Sequence, residues 1–269
     1  MLSQGASFLS IRPGGKIDIE KYPAIRDWLL SFKADLEERA TAQEWWELQQ
    51  AQLAYQSIFS EPKIIWPQFL DRPEFCVEKE GFFPINKCYL FPSDDEVLVA
   101  LLNSRLIWFC FVSTSVVKRG GFREATAQHI GPLPWPDLSE GRRAQLSNLS
   151  ETCRQSASQS LVIRTGFHHR ILADLAPHGR KKVTGKLENF WTLDFDLFRA
   201  EVKKAFKIEI PVKDRDGWEK YLSEQSAKVI KLMAEIEAAE REIDAIVYQL
   251  FDLTSEEIKL LEDSLEGQR

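Results

Sequence analysis

Apolar side chains repeat every seven residues near the end of the chain, and no other feature restricts the fold as strongly. The repeated residues are Leu222, Val229, Ile236, Ile243 and Leu250, with Leu232, Ala239 and Ile246 at the partner positions. Such a repeat places one apolar stripe along a helix. It predicts a long amphipathic helix whose seam packs within the chain or against a second copy. Gln225 and Ala239 on the seam favour packing within the chain.

Further helices are predicted on both sides of this one. Ser139 is a suitable N-cap for a helix that runs through Leu146 to about Val162. Thr254-Ser255-Glu256-Glu257 has the form of a capping box for a short last helix. From Thr165 to Pro211 the pattern weakens, apart from a helix over Phe198–Phe206. We therefore expect residues 139–269 to form a mainly helical part.

The first half of the chain combines predicted helices with short strands. Tyr22-Pro23 is predicted to begin a helix, since proline suits the first helical position. The stretch after Arg39, with Trp45, Trp46 and Leu48, is also predicted to be helical. Met1–Ile19 is predicted to hold a turn between two short strands. Asp94 or Asp95 is expected to cap a helix through Leu102.

The strands are predicted from β-branched and aromatic residues bounded by turn residues. They are Lys63–Pro67, Phe75–Val77, Phe82-Phe83 and Cys88–Phe91. The proline-rich strip from Pro132 to Pro136 ends this part of the chain. The predicted fold is α+β: a mixed or antiparallel sheet module packed with helices over residues 1–138, then the mainly helical part over residues 139–269. The two parts can form one continuous domain.

Composition indicates a soluble protein with a real core. The chain has 269 residues, of which 44% are hydrophobic. It shows no charged-then-apolar leader at Met1 and no apolar run of membrane length, so we expect a cytoplasmic protein without a membrane partner. The four cysteines are far apart in sequence, which favours reduced thiols over disulfides or zinc ligands.

The charge of the chain is unevenly distributed. The net charge of −6 argues against a strongly basic DNA-binding protein. However, the segment from Val97 to Lys186 has 13 basic and 5 acidic residues, whereas the rest has 22 basic and 36 acidic residues. A basic surface is therefore compatible with an acidic whole.

Motifs for catalysis are largely missing. The sequence has no paired-proline loop of a DNA-amino methyltransferase and no glycine-rich cofactor turn. Glu201-Val202-Lys203 resembles part of a nuclease site, but on a predicted helix these two side chains point apart. His168, His169 and His178 lack metal-ligand spacing. We expect this chain alone not to be an enzyme and to hold no cofactor or metal.

Basic residues beside glycines are the best binding candidates. Arginine side chains can form bidentate hydrogen bonds with phosphates or guanine edges, and glycines allow the backbone to come close to a ligand. Arg142-Arg143 begins a predicted helix, where the helix dipole disfavours cations, which hints at an anionic ligand. The predicted DNA-binding residues are Arg72, Lys118, Arg119, Arg123, Arg142, Arg143, Arg180, Lys181, Lys182 and Lys186. An ordinary solvated surface remains the alternative for each. Trp66 is expected in the core.

Short phrases along the chain resemble a known family. They are Tyr22-Pro23-x-Ile25, Trp46-x-Leu48, Pro62-Lys63-Ile64-Ile65, Leu102-Asn103-Ser104, Gly120-Gly121, Pro132-x-Pro134 and Ile243-Asp244-x-x-Val247-Tyr248-x-Leu250. In this order the chain resembles the C-terminal target-recognition region, the TaqI-like specificity region, of type IIG restriction-modification adenine-N6 DNA methyltransferases.

The resemblance implies sequence-specific recognition of double-stranded DNA. In such proteins a separate domain transfers a methyl group from S-adenosylmethionine to adenine, and that domain has no counterpart here. The implied partners are double-stranded DNA and a methyltransferase domain or subunit, with the chain a monomer or weak dimer. The alternative is a protein-interaction subunit that docks a catalytic methyltransferase through its helices without reading DNA.

Overall fold

The structure, a computed structural model, describes residues 17–49, 57–84, 86–118, 120–183 and 185–266. The predicted strands before Ile19 lie almost wholly outside these ranges. The chain forms two compact units. The first comprises Met1–Ile65 and Glu78–Asp94, and the second comprises Trp66–Val77 and Asp95–Arg269. The domain division at residue 138 stays a prediction.

The first unit begins with two short helices. Helix α1 spans Pro23–Leu30 and has proline at its first position, as predicted, and α2 spans Lys33–Glu37. The predicted helix around Trp45 and Trp46 is wrong, because this stretch consists of turns. The Arg39 guanidinium donates to the carbonyls of Leu36, Trp45 and Glu47 at 2.7, 3.0 and 2.8 Å. One side chain thus organises the backbone there, and no helical ladder forms.

The strands are short. They are β1 Lys63–Pro67, β2 Phe69–Leu70, β3 Cys76–Glu78, β4 Cys88–Pro92 and β5 Arg123–Glu124. One sheet has the order β3-β1-β4, and β2 pairs antiparallel with β5. The predicted strand at Phe82-Phe83 is wrong: its backbone is irregular, and the Phe83 ring stacks on Phe59 with centroids 5.2 Å apart.

A buried ion pair lies in the first unit. The Lys63 side chain is fully buried, and its ammonium group donates to the Glu78 carboxylate and to the Phe59 carbonyl, the latter at 3.0 Å. The Glu78 carboxylate also accepts from the Glu80 backbone N–H at 2.6 Å. Since an unpaired buried charge is costly, these contacts let a lysine stand at the start of an otherwise apolar strand.

Three helices follow in the second unit. They are α3 Glu96–Asn103, α4 Arg105–Thr114 and α5 Ala127–Ile130. The Asp95 side chain caps α3 by accepting from the Val97 N–H at 2.9 Å, as predicted. Ser104 separates α3 from α4 and caps the latter. Trp66 is buried, as predicted, and its indole N–H donates to the Ala125 carbonyl at 2.7 Å.

Two long helices dominate the second unit. Helix α6 spans Glu140–Leu175 and α8 spans Arg215–Leu250, each with 36 residues. Ser139 caps α6 as predicted, but the helix continues 13 residues beyond Val162. Arg142 of α6 contacts Gln249, whereas Phe167 contacts Tyr221. The start of α6 therefore lies beside the end of α8, and the pair is antiparallel.

The remaining helices pack at the two ends of this pair. Helix α7 spans Phe195–Phe206, and α9 spans Ser255–Glu266. Thr254 and Glu257 form the predicted capping box: the Thr254 N–H donates to the Glu257 carboxylate at 2.8 Å, and the Glu257 N–H donates back to the threonine hydroxyl at 3.3 Å. A 3₁₀ segment, Gly185–Thr192, precedes α7.

Each end of the α6–α8 pair has its own core. At the proximal end, where α6 begins and α8 ends, Leu146 and Val247 pack with residues of α3, α4 and α9. At the distal end, Phe167 and Trp218 pack with the 3₁₀ segment and α7. The seam residues Val229, which belongs to the distal core, and Leu232 are buried, which confirms the predicted amphipathic helix.

The architecture confirms the predicted α+β class, with a small sheet portion followed by a mainly helical part. All four cysteines are free and half-buried. Among the described residues no single helix has the length and apolar composition to span a membrane. Helices α3 and α4 meet both criteria only as a pair, and they are bent by 64°.

Candidate nucleic-acid interface

An open groove of about 470 Å³ lies at the proximal end of the helical pair. Its walls come from the turn before β3, from α4, from the loop before β5, and from α8 and α9. The arginines that line it are Arg72, Arg105, Arg123 and Arg241. The carboxylates that line it are Asp71, Glu237, Glu240, Asp244, Glu262 and Glu266. Two predicted DNA-binding residues, Arg72 and Arg123, thus share one groove.

Acidic side chains limit how a nucleic acid can use this groove. The carboxylates of α8 and α9 face the side that Arg72 and Arg123 occupy. Phosphates are repelled by carboxylates at short range. The Arg72 guanidinium, which is largely exposed, already pairs with Glu74 at 2.6 Å, and this contact raises the pKa of Arg72. A DNA backbone is therefore better accommodated at the rim of the groove than inside it.

A hairpin carries the predicted base-reading residues. The Lys118 N–H donates to the Phe122 carbonyl at 2.7 Å, and Val117 pairs antiparallel with Arg123. Gly120 and Gly121 have φ angles of 85° and 84°, which L side chains rarely adopt, so the tip requires glycine. Arg119 lies outside the described residues.

Lys118 and Arg123, which flank the tip of the hairpin, differ in their contacts with the rest of the protein. Lys118 is half-exposed and lies 3.9 Å from the Glu124 carboxylate. The Arg123 guanidinium donates to the Ser115 carbonyl, just after α4. Arg123 therefore holds the base of the hairpin in place, a structural role that the sequence alone did not reveal.

Arg142 and Arg143 begin α6 at the same proximal end. The Arg142 guanidinium donates to the side-chain oxygens of Gln145 and Gln249 at 3.1 and 2.8 Å. Arg143 pairs with Asp95, the cap of α3, at 2.8 Å. These contacts and the Ser139 cap provide polar partners for both arginines at the N-terminus of α6.

The remaining predicted residues lie at the distal end. The basic distal loop is defined here as residues 177–183 with Gly185 and Lys186, the first two residues of the 3₁₀ segment. Gly179 and Gly185 have positive φ. The Arg180 guanidinium lies 6.0 Å from the centroid of Phe206. Lys181, Lys182 and Lys186 are exposed, and within the described ranges none of them has an ion-pair partner.

The structure therefore separates the predicted residues into two groups. Arg72, Lys118, Arg123, Arg142 and Arg143 are proximal, and the basic distal loop is at the other end of α6. The segment of α6 from Arg142 to Leu175 spans about 50 Å at the rise of an α-helix. One DNA duplex reaches both groups only if it follows the helical pair.

The groove also contains a polar network that was not predicted from the sequence. The Asp244 carboxylate of α8 accepts from the Arg105 backbone N–H at 2.8 Å and lies 3.5 Å from its guanidinium. The same guanidinium lies 3.3 Å from Glu262 of α9, which also accepts from the Tyr248 hydroxyl at 3.3 Å. Asp244 thereby satisfies the first N–H of α4 from a different helix.

Burial shifts the acidity of this network. It raises the pKa of Asp244 to about 6, although the hydrogen bond and charge of Arg105 oppose the rise. Burial likewise raises the pKa of the Tyr248 phenol. A carboxylate next to seam residue Ile243 was the available sequence signal, since an acid on a buried helix face needs a partner.

The phrase Leu102-Asn103-Ser104 has a structural explanation. The Asn103 amide accepts from the Phe75 N–H at 3.0 Å and donates to the Phe75 carbonyl at 2.8 Å. Ser104 donates to the Leu101 carbonyl at 2.7 Å. Together with Arg105 and Asp244, these residues join the residue before β3 to α3, α4 and α8.

Metal and nuclease chemistry find no support in the described ranges. There, no group of three or more His, Cys, Asp or Glu side chains is arranged to hold a metal ion. The His168 ring is hydrogen-bonded to the Glu188 carbonyl at 2.9 Å. Glu201 and Lys203 both lie on α7 and pair with different residues, Lys204 and Glu209.

Comparison with known proteins identifies two regions. No curated protein matches the chain. Residues 139–247, which include α6, α7 and most of α8, match a family model described as a domain of unknown function (DUF8810). Residues 17–135 match the family model of the TaqI-like C-terminal specificity domain. The resemblance is thus confirmed for this range: residues 17–135 match the TaqI-like C-terminal specificity domain.

Proposed function

We propose that this chain recognises a specific sequence in double-stranded DNA for an adenine-N6 DNA methyltransferase of a type II restriction-modification system. The observation that carries the proposal is the match of residues 17–135 to a specificity domain. A specificity domain chooses the DNA target and does not catalyse. Methyl transfer from S-adenosylmethionine belongs to a separate methyltransferase domain or subunit, and the proposed setting is the bacterial cytoplasm.

The positions of the charged side chains suggest which residues contact bases and which contact phosphates. Lys118 on the hairpin and its neighbour in sequence, Arg119, are the proposed contacts to base edges, because Gly120 and Gly121 allow a close approach to a groove of DNA. Arg72, Arg142 and Arg143 are the proposed phosphate contacts around them. Phosphate contacts set register and orientation, and base contacts set sequence.

Selection from a pool of random duplex DNA tests this function. The purified chain is incubated with the pool at low and at moderate salt, and bound DNA is sequenced. We expect a short enriched motif that persists at moderate salt, because base contacts are less salt-dependent than phosphate contacts. Binding without a motif at either salt would contradict sequence recognition by this chain.

Alanine variants test whether the hairpin residues contact base edges. The Lys118→Ala/Arg119→Ala double variant is expected to lose preference for the selected motif, at about 1–3 kcal/mol for each good base contact removed. The matched control is Lys228→Ala/Lys231→Ala on α8, which removes the same charge at exposed positions. Equal motif preference in both variants would contradict the proposal that Lys118 and Arg119 contact base edges. No binding to DNA at all, with retained binding to a methyltransferase, would favour the protein-interaction subunit.

The proposed oligomeric state is a monomer or weak dimer. The seam of α8 packs against α6 of the same chain: Val229 shares a core with Phe167, and Ile243 shares a core with Leu146. The seam is therefore not available for a homodimeric coiled coil. Light scattering across a concentration series measures this directly, and a stable dimer at low concentration would overturn it.

A further inference from the structure

The two long helices present different outward faces. On α6, exposed residues recur at steps of three or four, which places them on one side of the helix. They are Asn148, Thr152, Gln155, Gln159, Val162, Gly166 and His169. Most of its members are hydrogen-bonding groups and none is a carboxylate, but the Gln155 amide donates to the half-exposed Glu151 carboxylate beside the stripe at 2.9 Å. Side chains of this kind are regular partners of DNA phosphates.

Charge distinguishes α6 from its partner helices. Helix α6 has 5 arginines and 3 acidic residues. Helix α8 has 8 acidic and 5 basic residues, and α9 has 5 acidic and 1 basic residue. A polyanion that lies along the pair is therefore favoured on the α6 side and repelled on the side of α8 and α9.

Unneutralised cations stand at both ends of the α6 stripe. At the proximal end the Arg142 guanidinium contacts the amide oxygens of Gln145 and Gln249, so its hydrogen bonds leave its charge uncompensated. At the distal end Lys181, Lys182 and Lys186 are exposed and lack ion-pair partners among the described residues. Their flexible side chains are suited to phosphates, which require charge rather than a fixed geometry.

We propose that α6 and the basic distal loop form a phosphate-binding track for duplex DNA that flanks the recognition sequence. The track runs about 50 Å from Arg142 to the end of α6. At 3.4 Å per base pair this corresponds to about 15 base pairs. The inference rests on the proposed function and extends it: residues 17–135 choose the sequence, and the helical pair grips the DNA beside it without reading bases.

The first experiment lengthens the DNA on one side at a time. A duplex of about 12 base pairs that carries the selected motif is compared with duplexes extended by about 18 base pairs on either flank, by fluorescence anisotropy. The motif fixes the register, so a longer duplex offers no additional specific sites. We expect about tenfold tighter binding when one particular flank is extended, and little change for the other.

The distal lysines supply the matching variant. The Lys181→Ala/Lys182→Ala/Lys186→Ala variant should lose the gain from the extended flank and bind the short duplex within about twofold of wild type. The control Lys220→Ala/Lys228→Ala/Lys231→Ala removes three exposed lysines from α8 and should keep the gain. The track is overturned if wild type gains nothing on either flank, or if the distal variant retains the gain.

A second readout needs no motif. On a mixed-sequence duplex of about 30 base pairs, the distal variant should flatten the slope of log affinity against log salt by nearly three, about 0.9 for each lost contact. An unchanged slope, or no binding by wild type, overturns the track. A flattened slope without any selected motif supports the track and contradicts sequence recognition, so failures of the two proposals are distinguishable.

Discussion

The two ends of the α6–α8 pair are stabilised in different ways. The distal end has an aromatic core in which Phe167 stacks on Phe190 with centroids 3.7 Å apart. The proximal end adds polar contacts between separate helices, with Asp244, Arg105 and Glu262 at the centre. Apolar packing depends on volume, whereas a buried polar network depends on every partner being present. The ends should therefore respond differently to the same kind of mutation.

The largest expected effect is at the distal end. Phe190→Ala removes a fully buried ring and should lower the free energy of unfolding by about 3–4 kcal/mol. The control Leu197→Ala, at a half-exposed position of α7, should cost below about 0.5 kcal/mol. Chemical denaturation measures both changes. If hydrogen exchange accelerates equally at both ends of the pair, the two cores do not open separately.

The matching change at the proximal end is Asp244→Ala. It leaves the Arg105 N–H without its acceptor in a partly buried place, so we expect a loss of about 2 kcal/mol. Asp244→Asn retains an oxygen acceptor and should cost less than the alanine variant. Denaturation of both variants at neutral pH provides the comparison, and equal losses would argue that the hydrogen bond contributes little.

Only the proximal end should depend on pH through Asp244. Its pKa of about 6 in the folded chain exceeds the value near 3.9 of an unfolded aspartate. The native state therefore binds the proton more tightly, and this contribution to stability is full below about pH 4 and is lost as the pH rises through 6. Arg105, Glu240, Glu262 and Tyr248 face the same carboxyl group and take part in its titration.

Denaturation curves across this window isolate the effect. Between about pH 4 and pH 7, wild type should lose up to about 2 kcal/mol relative to Asp244→Asn, because the amide does not titrate. Phe190→Ala should retain the pH dependence of wild type. Parallel curves for wild type and Asp244→Asn would contradict a raised pKa.

The smallest expected effect on stability is in the basic distal loop. Lys181, Lys182 and Lys186 are exposed, so the triple alanine variant should change the free energy of unfolding by less than about 0.5 kcal/mol. Thermal denaturation checks this. A large loss would mean that these lysines support the fold, and the DNA-binding measurements on this variant would then need single substitutions.

Local patterns were predictable from the sequence. The seam of α8, the Asp95 cap and the Thr254 capping box depend on residues within a few positions of each other, and all three are present. The predicted end of α6 near Val162 was wrong. The helix continues through Phe167 and Ile171, which are buried by the distal core. Tertiary packing, rather than a local signal, decides this boundary.

The candidate site was less predictable for the same reason. Lys181 and Lys182 are adjacent in the sequence, so this basic cluster is visible without a structure. By contrast, Asp244 and Arg105 are separated by 139 positions and meet only in the folded chain. Arg123 was predicted to contact DNA, and its guanidinium also donates to the Ser115 carbonyl, a contact that no composition pattern reveals.

The seven-residue repeat of α8 also makes the helical pair adjustable in length. Seven residues added to each long helix would preserve the seam and move the distal loop by about 10.5 Å. On a duplex this is a shift of about 3 base pairs, roughly a third of a turn, so the loop would meet a different part of the backbone. The number of heptads in the pair would then set the distance between the recognition sequence and the DNA that the proposed track contacts at its distal end.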